Sequence, residues 1–217
     1  MGKRRKPPQA PGVGTYDQSF GDRRNGRMTR RQPAGAGQPP FPFMSTAPSS
    51  VAPHMPDARQ QQFRQVIGHF ATGVAVVTCA GPDGPSGLTT SAVSSLSLDP
   101  LLLLVCFDNG SRTLPSVLAA GRFAVNVLPE GSEELARIFA SKDLLGHQKF
   151  ESVMHTADHG VPVLDDALAW LVCDLRETLP GGDHTIGIGE VTQMGLAGAD
   201  AMKPLIWFQG RYGALST

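Results

Sequence analysis

The sequence predicts a mainly β domain, an antiparallel barrel carrying two or three peripheral helices. Three observations lead there. Short β-branched or apolar runs recur between residues 74 and 212, about seven of them, bounded by Gly, Pro and Asp turns. Only two or three segments carry a helical period. Long alternation of strand and helix is missing, which disfavours a doubly wound parallel sheet. Gly-x-Gly pairs such as Gly187-Ile-Gly189 occur, but none opens a helix after a strand, so no dinucleotide fingerprint is read from them.

The elements follow in order. Asp57 is a plausible N-cap, and Phe63, Val66, Ile67 and Phe70 repeat at the spacing of one helix face. After Gly73 the period changes: Val74-Ala-Val-Val-Thr-Cys79 reads as a strand and Gly81-Pro-Asp-Gly84 as a turn. Residues 86–98 read as one second strand and Leu101–Phe107 as a third. Ser111 can cap a helix through Ala120, with Pro115 in its first turn. Phe123–Leu128 is a strand. Ser132 opens a helix from Glu133 to Ser141 whose two leading carboxylates suit the positive N-terminal end. Ala167–Thr178 and His184–Met194 flank Pro180-Gly-Gly-Asp183, a hairpin signal, and Pro204–Tyr212 reads as a last strand.

Charge divides the chain in two. Residues 1–62 hold ten Lys/Arg and three Asp/Glu, and residues 63–217 hold nine and sixteen, so a balance of +7 faces one of −7. Residues 1–56 are rich in Pro, Gly, Gln and Arg and cannot bury enough apolar surface to offset ordering entropy; a disordered basic arm is expected there, followed by one domain over 57–217. Lys3-Arg4-Arg5-Lys6 is read as solvated tail in preference to a nucleic-acid site. Cys79, Cys106 and Cys173 are odd in number, far apart and set among apolar residues, which suits buried thiols in a reducing cytoplasm. The longest apolar run, Leu101 to Phe107, is too short to cross a bilayer, and no signal-peptide core follows the early basic cluster.

Three segments could carry chemistry. Six hydroxyl residues, Thr89, Thr90, Ser91, Ser94, Ser95 and Ser97, fall within nine positions ahead of an apolar strand. Short neutral donors and acceptors on such a surface suit a flat, heteroatom-rich ligand better than a metal or a charged substrate. Ser111-Arg112-Thr113, at a helix start, offers hydroxyls, a guanidinium and free backbone N–H groups, an arrangement suited to phosphate or equally to a simple cap. Gly181-Gly-Asp-His184 places an imidazole in a tight turn. His147 with Lys149 and Phe150 is a weaker cluster. His155 and His159 have metal spacing only on a helix, and their neighbours Gly160 and Pro162 argue for strand and turn. No Gly-x-Ser-x-Gly motif or paired-carboxylate pattern stands out.

Taken together, these pieces resemble the flavin reductase component of two-component flavin-dependent monooxygenases. The resemblance runs from about Phe63 to Leu215, through Phe63-Arg64, Phe70-Ala-Thr-Gly-Val74, Gly87-Leu-Thr-Thr-Ser91, Ser97-Leu-Asp-Pro100, Ser111-Arg-Thr113, Gly121-Arg-Phe-Ala-Val-Asn-Val-Leu128, Lys149-Phe150, Gly181-Gly-Asp-His-Thr185 and Gly210-Arg-Tyr212. It implies a split barrel of the FMN-binding type, usually a homodimer with flavin near the subunit interface. It implies flavin contacts from Thr89, Thr90, Ser91, Ala92, Ser95, Leu96 and Ser97, a flavin phosphate at Ser111, Arg112 and Thr113, and a flavin-side aromatic at Phe150. Gly182, Asp183, His184 and Thr185 match the segment that meets NADH or NADPH. The chain departs from the usual pattern at Ala92 and Val93, where small polar residues and Phe are common. FMN or FAD is the implied acceptor, reduced for a separate monooxygenase, and no catalytic side chain is expected because the cofactors carry the hydride. A flavin carrier or redox sensor without reductase activity is the alternative.

Overall fold

Val74-Ala-Val-Val-Thr-Cys79 is buried on both of its faces, and this shapes the domain. The computed structural model describes residues 57–196 and 203–216. The basic arm expected over 1–56 lies outside the described residues. Strands β2 (Ala75–Gly81), β3 (Gly84–Thr90), β4 (Val93–Leu98), β5 (Leu101–Asp108), β6 (Arg122–Val127), β9 (Ala169–Gly181) and β10 (His184–Leu196) form a seven-stranded sheet in the order β3-β2-β6-β9-β10-β5-β4. All its pairings are antiparallel. The two edge strands, β3 and β4, are consecutive in sequence and joined only by Ser91-Ala92. The sheet must therefore curl until its edges meet, yet β3 and β4 are not paired in it. This is a split barrel, reached from connectivity alone.

Period-2 alternation gives each strand two jobs. Ala75, Val77 and Cys79 point into the barrel with Leu103, Val105, Phe107, Phe123, Val125 and Cys173. Leu114 and Val117 of α2 (Thr113–Ala120) join that core. Val74 and Val76 point the other way, onto Ala136 and Phe139 of α3 (Glu133–Ala140), Phe150 of a 3₁₀ turn (His147–Phe150), Leu128 and Leu205. Each large side chain fully buried in this way contributes about 1.5–3 kcal/mol. Two glycines of β10 mark where the long β9–β10 hairpin passes close to rings. A Cβ on Gly187 would stand 2.8 Å from Phe107, and one on Gly189 2.6 Å from Phe123.

Three elements depart from the sequence reading. The second strand, expected unbroken over 86–98, splits at Ser91-Ala92, where the Ala92 N–H donates to Thr90 Oγ1 at 3.0 Å instead of to a strand neighbour. The last strand is a hairpin, β11 (Ile206–Phe208) and β12 (Arg211–Gly213), with β11 paired to β1 (Thr72–Gly73). Its turn holds Gln209 at φ 49° and Gly210 at φ 73°; the Gln, unlike an Asn-Gly pair, gave no turn signal. The first helix, α1 (Ala58–Ile67), is capped by Asp57 as expected, in a reciprocal pair with Gln60. Its apolar face is not buried: Phe63, Val66, Ile67 and, just beyond it, Phe70 are 66, 67, 52 and 71 % exposed. Short strands β7 (His155–Thr156) and β8 (Val163–Leu164) form a separate pair.

Candidate flavin and nicotinamide site

The loop from β5 to α2 brings together part of the expected site residues. Helix α2 begins at Thr113 with Arg112 at its N-cap, one residue later than a Ser111 cap would set it. Ser111 nonetheless accepts a hydrogen bond from the Thr113 N–H at 3.1 Å. Thr113 is buried, and its hydroxyl accepts from Ser86 of β3 at 3.1 Å. These residues line a cavity of about 340 Å³ between β3, this loop and the end of α3. Thr89 lines it too, its hydroxyl donating to Ala136 O at 2.7 Å.

The electrostatics of this cavity are simple. Its charged lining residues are Asp108, Arg112, Lys142 and Lys149, three cations against one carboxylate, a balance of +2. Lys142 pairs with Asp108 at 3.2 Å. The Gly110 N–H and Lys142 hold the Asp108 carboxyl below the usual carboxylate range. Among the described residues no carboxylate pairs with Arg112 or Lys149. Lys149 is 7 % exposed and donates to Gly87 O at 3.2 Å and Phe139 O at 2.8 Å. Burial, and then the nearby Arg112 charge, push its pKa down. A phosphate dianion carries the missing charge, so the residues present fit the phosphate end of a flavin nucleotide.

The Gly-Gly-Asp-His turn is the tip of the β9–β10 hairpin, and β10 pairs with β5 so that His184 stands opposite Asp108. Asn109, which carried no sequence signal, holds that tip. Its N–H donates to Asp183 O at 3.0 Å and its side-chain amide to Gly182 O at 3.3 Å, while Thr185 Oγ1 donates to Asn109 Oδ1 at 2.7 Å. His184 Nδ1 meets Asp183 Oδ1 at 2.8 Å, and this bond, with the His184 charge, lowers the Asp183 pKa. The imidazole is 43 % exposed, within reach of a ligand.

The hydroxyl segment does not form one wall. Thr90 and Ser91, with Thr89, border a second cavity of about 210 Å³ whose other side is Trp207 and Tyr212. Ala92 sits at the seam, its carbonyl accepting from the Cys106 N–H at 3.0 Å. Ser95 and Ser97 border a shallow apolar groove with Leu98, Leu101 and Met194, and Leu96 is 46 % exposed. Phe150 lies in the core, edge-on to Phe139 with centroids 5.0 Å apart; Phe139 and Lys149, not Phe150, line the cavity. His155 and His159 do not converge: one contacts Val153 O and Phe150, the other Gln193 and Trp170.

Residues 67–216 match the family model described as flavin reductase like domain. The chain belongs to this family. It is 40 % identical over 153 residues to the reductase component of a 4-nitrophenol 4-monooxygenase/4-nitrocatechol 2-monooxygenase from Rhodococcus opacus, covering 70 % of this chain and 79 % of that one. It is 39 % identical over 178 residues to a flavin reductase (NADH) from Kitasatospora aureofaciens, covering 80 % and 89 %. Among solved structures it is similar to an NADH:FAD oxidoreductase of Streptomyces globisporus in complex with NAD and FAD fragments, with TM-score 0.67, 33 % identity and coverage of 75 % and 97 %. The expected split barrel stands, and the names of these relatives agree with the expected flavin and nicotinamide cofactors and the role of a monooxygenase reductase component. No described helix is long and apolar enough to cross a membrane.

Proposed function

We propose that this flavin reductase is an NAD(P)H:flavin oxidoreductase of the EC 1.5.1 type, working in the cytoplasm. The observation that carries the reading is the cavity charge of +2 beside the Asn109-held His184 turn. Ser111, Arg112 and Thr113 hold the flavin phosphate. Thr89 to Ala92 and Ser95 to Ser97 bond the polar edge of the ring and the ribityl chain, and Phe150 supports the cavity wall by packing Phe139. Gly182 to Thr185, His184 foremost, position the nicotinamide. Bound flavin supplies the hydride acceptor; the chain's residues orient the two cofactors for close stacking, the source of rate in such a transfer.

The ring-binding residues open on several sides of one chain, next to exposed Leu96, Leu98, Leu101, Met194 and Leu196. A homodimer that covers these side chains and the α1 face would complete the site. Reduced flavin then passes to a partner monooxygenase. A steady-state matrix of FMN and FAD against NADH and NADPH tests the activity. Oxidation of at least one nucleotide, dependent on added flavin, is expected. Flavin binding without nucleotide oxidation would leave a carrier.

A further inference from the structure

We propose that Lys149 is a phosphate-holding residue of the flavin site, the buried member of a cation set whose exposed members are Arg112 and Lys142. The proposal rests on reading the cavity as the flavin-phosphate site. An ammonium has three N–H donors. Two are taken by Gly87 O and Phe139 O. The third belongs to a side chain that borders the cavity and has no carboxylate partner among the described residues. Neutral carbonyls solvate a buried ammonium only in part, and such a charge is costly without an anion. Arg112 adds like-charge repulsion on the same cavity. A phosphate in the cavity relieves both.

A purely structural role makes a different prediction. Phe139 O lies in the last turn of α3, whose carbonyls lack helical partners, and Gly87 O belongs to β3. Lys149 could act only as a strut between them. The strut serves every ligand alike, whereas a phosphate-holding cation distinguishes FMN from riboflavin, which has the same ring and no phosphate.

Dissociation constants for FMN and riboflavin, read by quenching of flavin fluorescence without turnover, decide between them in wild type, K149M and K149Q. The Met fills the space without charge; the Gln keeps two N–H donors for the two carbonyls. Both variants should weaken FMN about tenfold or more, in line with loss of a charged hydrogen bond, and move riboflavin less than about twofold. An FMN-to-riboflavin affinity ratio equal to wild type in either variant overturns the proposal and leaves the strut. If wild type itself shows no preference for FMN, the phosphate reading of the cavity fails instead, a distinguishable result.

Discussion

At the scale of single residues, environment sorts groups of one type into different duties. Cys79 and Cys173 are fully buried, and burial pushes both thiols up to about 12. At pH 8 only on the order of one in ten thousand would be thiolate, the reactive form. Iodoacetamide followed by peptide mass mapping should leave both unmodified in the folded protein and alkylate both in urea. Asp183 is shifted the other way, chiefly by its bond to His184. A carboxyl with a lowered folded pKa stabilises above its unfolded value, near ~3.9, and loses that contribution as pH falls through the lower folded value. H184A should therefore return the Asp183 titration upward, measurable by carboxyl ¹³C NMR. The same variant should raise the nicotinamide KM while leaving flavin affinity near wild type; an unchanged KM would remove His184 from the site. The sequence made His184 and Ser111–Thr113 legible because turn and cap chemistry is local. Asn109 gave no signal and Lys149 only a weak one, because what distinguishes them is contact with chain more than 60 residues away: Gly182 O for one, Gly87 O for the other.

At the scale of elements, the central strands were legible from composition. Five of the seven main-sheet strands, β2, β5, β6, β9 and β10, begin and end within three residues of β-branched or apolar runs visible in the sequence, β2, β5 and β6 most closely. The break between β3 and β4 was hidden because Ser and Thr serve equally in a strand or as side-chain acceptors for the backbone, and only sheet closure selects the second use. The α1 face misled for another reason: amphipathic period says that a face needs cover, not that the same chain provides it. Gly189 tests the packing of the hairpin. An added methyl would meet Phe123 at 2.6 Å and Cys173 Cβ at 2.9 Å, both inside the barrel. G189A should lower stability by about 1–3 kcal/mol through overpacking, seen as a lower urea midpoint with unchanged slope.

At the scale of the whole molecule, the exposed apolar faces are what the proposed homodimer would cover. Phe63 and Phe70 each present an apolar ring to solvent. Replacing both with Glu should shift light-scattering mass from dimer to monomer and weaken flavin binding together. Deleting residues 1–56 should leave flavin reduction within about twofold of the full chain, because the proposed site is assembled from Ser86 onward. One six-residue segment, Asp108 to Thr113, helps to line the anion cavity and, through Asn109, holds the hairpin tip. If the proposed flavin and nicotinamide sites share this segment, any coupling between the two ligands is reciprocal. Whatever factor nucleotide exerts on flavin affinity, flavin must exert on nucleotide affinity. Loosening the loop at Asn109 should therefore shrink both factors by the same amount, even though that side chain bonds only to the hairpin.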